Sequence, residues 1–146
     1  MPKQQQQEQK ENERKEEEAK EAITRKRRVL VIDDEKDITY VFKMGLESNG
    51  FEVDAYTVPF EALSNFKVGY YNIIISDIRM PGMSGFELCS KLIEMDDKVK
   101  VFFVSGFVMY SDEMTLQYPN MNMINYKQFI DKPVSINKLV KAIAVE

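Results

Sequence analysis

Apolar residues follow two alternating patterns along residues 29–146. Short apolar runs rich in β-branched side chains, such as Val29–Ile32, Ile73–Ile75 and Val101–Val104, are typical of strands buried on both faces. Between these runs, apolar residues spaced by three or four positions indicate amphipathic helices. The alternation predicts an α/β fold in which five parallel strands form a doubly wound sheet with flanking helices.

The helical stripes predict which side chains face the core. Asn49-Gly50 should end the first helix, Thr57 and Pro59 should start the second, and Ser84 and Ser135 should start the third and the last. We interpret the stripes as core rather than as a cofactor site. The predicted inward residues are Ile38, Val41, Phe42, Gly45 and Leu46 in the first helix, Phe60 and Leu63 in the second, Phe86, Cys89, Leu92 and Ile93 in the third, and Ile136, Leu139, Val140 and Ile143 in the last.

Residues 107–126 break this regular pattern. They contain Tyr118-Pro119 and four methionines, Met109, Met114, Met121 and Met123. Because proline interrupts a helix, we predict a short fourth helix followed by an extended loop. The methionines suit either an adaptable binding surface or buried gap filling.

Residues 1–28 differ in composition from the rest of the chain. They are dominated by Gln, Glu and Lys, carry nine basic and seven acidic side chains, and cannot bury enough apolar surface to form a core. We expect a disordered or solvated helical extension, with a separate domain over 29–146. The basic cluster Arg25–Arg28 could contact phosphate or an acidic partner, or could simply keep the flank soluble.

Charge and cysteine content narrow the classes of function. Residues 29–146 carry eleven basic and seventeen acidic side chains, so we expect no direct nucleic-acid binding. The single cysteine, Cys89, excludes an internal disulfide and suits a reducing compartment. No apolar run approaches the length of a membrane span, and the start of the chain is too polar for a signal peptide. These features predict a cytoplasmic protein.

Acidic side chains follow two of the predicted strands. Asp33 and Asp34 end the first strand, and Asp77 ends the third, before a turn at Pro81-Gly82 that should leave its carboxylate facing solvent. If the strands are neighbours, three carboxylates repel one another in one pocket, and a hard cation such as Mg²⁺ would stabilise them. The alternatives are an N-cap pair at Asp33-Asp34 and a loop cap at Asp77.

Two further strand ends carry polar groups. A lysine before proline is held extended, so Lys132-Pro133 should aim the ammonium group over the edge of the sheet, unless it is an ordinary solvated lysine. Ser105, followed by Gly106, places a hydroxyl at the end of the fourth strand.

With these groups in this order, the chain resembles the receiver domain of two-component response regulators. The resemblance covers about residues 28–146 and implies a flavodoxin-like receiver fold. The residues that carry it are Asp33, Asp34, Asp77, Met80-Pro81-Gly82, Gly85, Ser105 and Lys132-Pro133.

The resemblance also implies a role for each site residue. Asp77 would be the phosphoacceptor, and Mg²⁺ would be bound by Asp34, by Asp77 and by the main-chain carbonyl of Arg79, with Asp33 acting through water.

The remaining implied roles concern the phosphoryl group and its signal. Ser105 would bond a phosphoryl oxygen, Lys132 would pair with the phosphoryl group, and Ser105 and Phe129 would form the switch, with Phe129 moving inward. Arg79 and Phe107 would border the path of the hydrolytic water and make self-dephosphorylation slow.

The implied function is that of a phospho-accepting module in a two-component phosphorelay, which catalyses only its own phosphorylation and dephosphorylation. The chain contains no histidine, so the donor would be a histidine kinase, a histidine phosphotransfer protein or a small phosphodonor. The output would be a downstream protein target, and a phosphorylation-dependent homodimer is compatible with this role. Since the sequence stops at Glu146, we expect a receiver that stands alone, with a fragment of a longer regulator as the alternative.

Other classes of function predict different features. A Mg²⁺-dependent phosphatase of the haloacid dehalogenase type requires Asp-x-Asp after its first strand, whereas Glu35 stands two residues after Asp33. A flavodoxin-like flavin binder needs a phosphate-cradling first loop, where Asp33-Asp34 would repel phosphate. An interaction module with a degenerate site would lack some of the chemical groups that are present here.

Overall fold

The apolar runs predicted as strands form one parallel sheet. The computed structural model describes residues 3–24, 27–106 and 112–144, with side chains described for 3–16, 27–106 and 114–144. The strands are β1 (Arg28–Ile32), β2 (Glu52–Tyr56), β3 (Ile73–Ser76), β4 (Lys100–Ser105) and β5 (Phe129–Asp131). The helices in these ranges are α1 (Lys3–Thr24), α2 (Lys36–Ser48), α3 (Pro59–Ser64), α4 (Gly85–Met95), α5 (Asp112–Gln117) and α6 (Ile136–Ala144).

The strand order is β2-β1-β3-β4-β5, and every adjacent pair is parallel. The sheet therefore has the doubly wound, five-stranded topology predicted from the sequence. In register, Ile32 at the end of β1 lies opposite Ser76 at the end of β3, and Ser105 at the end of β4 lies opposite Asp131. The carboxyl ends of these strands consequently share one edge, where ligands bind in open α/β sheets.

The two faces of the sheet carry separate apolar layers. Val29 and Val31 of β1 pack with α2 and α6 on one face, while Leu30 and Ile32 pack with α3 and α4 on the other. Strand side chains alternate between faces, so a strand buried on both faces is apolar at every position. This explains why the central strands read as uninterrupted apolar runs.

Two of the predicted inward side chains are exposed. Val41 is 52% exposed because the buried stripe of α2 runs through Thr39, Phe42 and Leu46 and leaves Val41 at its edge. Phe60 is 55% exposed because the short helix α3 buries Pro59 and Ala62 instead.

The exposed Phe60 ring covers a turn rather than the core. A Cβ atom built on Gly82 would lie 3.2 Å from Cε2 of Phe60, so the ring lies against the turn that follows β3. Gly82 also has a φ of +84°, a backbone conformation that favours glycine.

The region before β5 has the short helix predicted from Pro119. Helix α5 ends at Gln117, and single 3₁₀ turns at Pro119–Met121 and Tyr126–Gln128 follow it. Met114 and Met121 are buried, as gap filling requires, whereas Met123 is 84% exposed and its role as a binding surface stays a prediction. Met109 lies outside the described residues.

Helix α1 is polar throughout its described side chains. Residues 3–16 are all exposed, and Lys15 and Glu11 form an ion pair at 3.7 Å, four positions apart. Among the described helices, none combines the length and the apolar character that a membrane crossing requires.

Gly85 gives a testable consequence of the close packing at the start of α4. Its N–H donates to the carbonyl of Ile78 at 2.7 Å, and a Cβ atom at this position would overlap with the carbonyl oxygen of Asp77. We expect Gly85→Ala to lower the free energy of unfolding by about 1–3 kcal/mol, because backbone must shift to admit the methyl group. Urea titration measures this change.

The matched control is Gly106→Ala, since a Cβ atom there meets nothing within 4 Å. An equal loss of stability in both variants would contradict the packing argument.

Candidate functional site

Three carboxylates converge at the carboxyl edge of the sheet. Asp33 and Asp77 each extend a strand by one ladder bond, since the Asp33 N–H donates to the Tyr56 carbonyl at 3.2 Å and the Asp77 N–H donates to the Ile32 carbonyl at 2.9 Å. Carboxylate oxygens of Asp33, Asp34 and Asp77 lie within 4.8 Å of one another. The parallel register therefore produces the acidic pocket expected from the strand ends.

The Asp77 carboxylate is more enclosed than expected. The whole residue is 8% exposed and its side chain 10%, so the expectation of a solvent-facing group was wrong. One oxygen, Oδ1, accepts the N–H of Ile78 at 2.7 Å, and Oδ2 lies 3.2 Å from Nζ of Lys132. Asp34, which is exposed, provides the open side of the pocket.

Asp33 is a pocket residue and not a helix cap. Its Oδ1 accepts the N–H of Glu35 at 2.9 Å, and its Oδ2 lies 2.6 Å from Nζ of Lys132. The N-cap residue of α2 is Glu35, whose side chain makes no capping hydrogen bond. The alternative of an N-cap pair at Asp33-Asp34 was therefore wrong.

Lys132 supplies the positive charge of the pocket. The main-chain N–H of Lys132 donates to the Ser105 carbonyl at 3.0 Å, which fixes the end of β5 against β4. Its side chain is only 16% exposed and reaches Asp33 and Asp77, so it is not an ordinary solvated lysine. Glu35 lies 4.0 Å from the same ammonium, a contact that sequence reasoning missed.

Two pKa values in the pocket are raised, each by a different main cause. Burial raises the pKa of Asp33 above its ordinary value, and the charge of Asp77 adds to this, although hydrogen bonds from Lys132 and Glu35 oppose it. Burial alone would lower the pKa of Lys132, but its hydrogen bonds and charge pairing with Asp33 and Asp77 outweigh burial and raise it. The two carboxylates therefore favour the charged form of Lys132, whereas burial favours the neutral form of Asp33.

The main chain of Asp77 is fixed by a residue that the sequence did not indicate. Ser76 is fully buried, and its hydroxyl donates to the Asp77 carbonyl at 2.8 Å. Together with the ladder bond to Ile32, this contact holds both main-chain polar groups of Asp77. A serine inside a strand gives no separate signal in the sequence.

Ser105 and Phe129 lie on the adjacent strands β4 and β5. Ser105 is buried at the end of β4. The Phe129 ring is buried too, with its centroid 5.3 Å from that of Phe103 and 6.3 Å from that of Phe86. The ring lies in the core of this structure, and the switch movement expected for Phe129 stays a prediction.

The structure describes only one of the two residues expected to border the path of the hydrolytic water. The side chain of Arg79 is exposed on the segment between β3 and α4. Phe107 lies outside the described residues, so the slow self-dephosphorylation remains a prediction.

The donor set fits a magnesium ion. Asp33, Asp34 and Asp77 offer only oxygen ligands, which hard cations prefer, and the exposed position of Asp34 leaves room for water.

Comparison with known proteins agrees with this geometry. The sequence model of the response regulator receiver domain matches residues 29–144. Over 115 residues the chain is 33% identical to the C4-dicarboxylate transport transcriptional regulatory protein DctD of Rhizobium meliloti (strain 1021), covering 78% of this chain and 24% of that protein. It is also 25% identical over 117 residues to the response regulator receiver protein CpdR of Brucella abortus (strain 2308), covering 80% and 93%.

A solved structure shares the fold. The crystal structure of a response regulator receiver domain protein from Clostridium thermocellum is 25% identical, with a TM-score of 0.60, and the match covers 81% of this chain and 91% of that one. The chain spans 24%, 19% and 50% of the length of three curated relatives that it matches. The predicted resemblance is confirmed: this chain belongs to the response regulator receiver domain family of two-component systems.

Proposed function

We propose that the chain is phosphorylated on Asp77 with the help of Mg²⁺ and signals through protein contacts. The observation that carries this proposal is the meeting of Asp33, Asp34, Asp77 and Lys132 at one edge of the sheet. Phosphoryl transfer depends mainly on positioning and on charge stabilisation, and these residues offer both.

Asp77 acts as the nucleophile. A bond forms between a carboxylate oxygen and phosphorus, while the bond between phosphorus and the donor's nitrogen or oxygen breaks, and the donor leaves with that electron pair. The hydrogen bond from Ile78 and the two contacts to the main chain hold the carboxylate in place. The product is an acyl phosphate.

The surrounding residues stabilise the negative charge of the phosphoryl group during this transfer. The Lys132 ammonium, 3.2 Å from Asp77, offsets the repulsion between the carboxylate and the incoming phosphoryl group. Asp34, Asp77 and the carbonyl of Arg79 would hold Mg²⁺, with Asp33 acting through water, and the bound ion would supply further positive charge. Ser105 would donate to a phosphoryl oxygen.

The partners follow from this chemistry. The donor is a histidine kinase, a histidine phosphotransfer protein or a small phosphodonor, because the chain has no histidine of its own. The output is a protein target, and homodimerisation would depend on phosphorylation. The module catalyses its own phosphorylation and dephosphorylation and no reaction on a separate substrate.

Phosphorylation of Asp77 can be tested directly by intact mass. After incubation with Mg²⁺ and acetyl phosphate, the unaltered chain should gain the mass of one phosphoryl group, and Asp77→Asn should gain none while remaining folded. The matched control is Asp131→Asn, an exposed aspartate at the end of β5, which should still be labelled. Labelling of Asp77→Asn would contradict the assignment, and release of phosphate from an added monoester would favour a phosphatase.

Magnesium should stabilise the fold by mass action. At a concentration one hundred times the dissociation constant, a ligand that binds only the folded state adds about 2.7 kcal/mol to the free energy of unfolding. We expect the thermal midpoint to rise with added Mg²⁺ and to fall back when the ion is chelated.

Two variants distinguish the role of Asp34 as a Mg²⁺ ligand from its repulsion of the other two carboxylates. Asp34→Ala should lose most of the Mg²⁺ response while being no less stable without the ion, since it removes one of three like charges. Asp37→Ala, an exposed aspartate outside the carboxylate cluster, should keep the full response. If millimolar Mg²⁺ leaves the thermal midpoint of the unaltered chain unchanged, this result would count against the metal site.

A further inference from the structure

A second cavity opens at the amino edge of the sheet, opposite the carboxylate pocket. Its volume is about 390 Å³, which falls in the range of small-ligand sites. Because all the strands are parallel, residues that precede or begin strands meet at this edge. The residues that line it are Arg27, Gly69, Tyr71, Asn72, Asp96, Lys98 and Lys100.

Positive side chains dominate this lining. Arg27, Lys98 and Lys100 face one acidic residue, Asp96, although residues 29–146 as a whole carry an excess of acidic side chains. The guanidinium of Arg27 donates to the carbonyl of Ile143 at 3.4 Å, which fixes it as part of the wall.

The carboxylate of Asp96 is occupied by the main chain. It is buried, and its Oδ2 accepts the N–H of Gly69 at 2.8 Å while its Oδ1 accepts the N–H of Lys98 at 3.1 Å. These bonds join the loop before β3 to the loop before β4 and offset part of the negative charge. Asp96 therefore shapes the cavity and places Lys98 on its wall.

Two more cations belong to the same end of the sheet, at the start of β1 and in the segment before β3. Arg28 and Lys67 lie over the ring of Tyr70, at 4.4 and 4.6 Å from its centroid, and the main-chain N–H of Arg28 donates to Oδ1 of Asn72. Cation–π contacts of this kind hold long side chains in one position and keep their charge. Arg28 also forms an ion pair with Glu52 at 3.0 Å, so the positive character of the cavity comes mainly from its own lining.

We propose that this cavity, which we call the amino-edge cavity, binds a compact phosphate-bearing anion of the size of pyrophosphate or a nucleoside diphosphate. Arg27 would offer a planar pair of donors to a phosphate group, and Lys98 and Lys100 would act as point charges beside it. The site is separate from the phosphorylation proposed for Asp77, because it lies at the other end of the strands.

The test uses the full chain labelled with ¹⁵N, titrated with pyrophosphate at constant ionic strength and without Mg²⁺. Under these conditions the carboxylate pocket repels anions, so binding there does not interfere. We expect saturable shifts of the amides of Gly69, Asn72 and Lys98. Shifts that do not saturate, or that cluster around Asp77 instead, would overturn the proposal.

Charge-matched variants and ligands complete the test. The double variant Lys98→Gln with Lys100→Gln should bind pyrophosphate about tenfold more weakly or worse, since it loses two charged contacts. Lys91→Gln with Lys138→Gln, two exposed lysines on α4 and α6, should bind as the unaltered chain does. Equal weakening in both pairs would reduce the effect to net charge and refute the site.

The nature of the ligand is resolved by comparing ADP and adenosine with pyrophosphate. Equal affinity for pyrophosphate and ADP supports recognition of the phosphates alone, and tighter binding of ADP supports a nucleotide whose base also contacts the protein. Adenosine that binds as tightly as ADP would refute recognition of phosphate.

Discussion

The mutual repulsion of Asp33, Asp34 and Asp77 is the constraint on which the candidate site depends. Like charges about 4 Å apart cost about 4 kcal/mol at an effective dielectric constant of 20, so they stay together only because the fold holds them. The parallel register of β1 and β3 sets the positions of Asp33 and Asp77, and Lys132 brings one positive charge from the end of β5. One ammonium cannot balance three carboxylates. The remaining excess of negative charge explains why the pocket suits an added cation. Burial, which is the larger cause, and the charge of Asp77 both raise the pKa of Asp33.

The second requirement is a rigid main chain at Asp77. Its N–H is held by the Ile32 carbonyl, its carbonyl by the Ser76 hydroxyl, and the segment after it by the bond between Gly85 and Ile78. A helix that starts this close to a strand end leaves no space for a side chain at its first residue. Glycine at this position is therefore a packing requirement, and it ties the start of α4 to the geometry of the pocket.

The sequence was sufficient for the sheet, for the strand-end aspartates and for Lys132, because these follow from periodicity and from the shared edge of parallel strands. It was insufficient where an outcome depends on neighbours from other elements. Val41 lies at the margin of a helical stripe, and a periodic pattern locates the centre of a stripe better than its edges. The enclosed carboxylate of Asp77 contacts Lys132, fifty-five positions away, and this contact cannot be read from the turn that follows Asp77.

The parallel topology of the sheet also separates acidic from basic side chains. Side chains that follow the strands gather at the carboxyl edge, where acidic residues predominate, and side chains that precede the strands gather at the amino edge, where Arg27, Lys98 and Lys100 line a cavity. The net charge of the domain sums over both edges, so it reveals neither the acidic cluster nor the basic one. An acidic domain of this fold can therefore present a cation pocket and an anion cavity at opposite ends of one sheet.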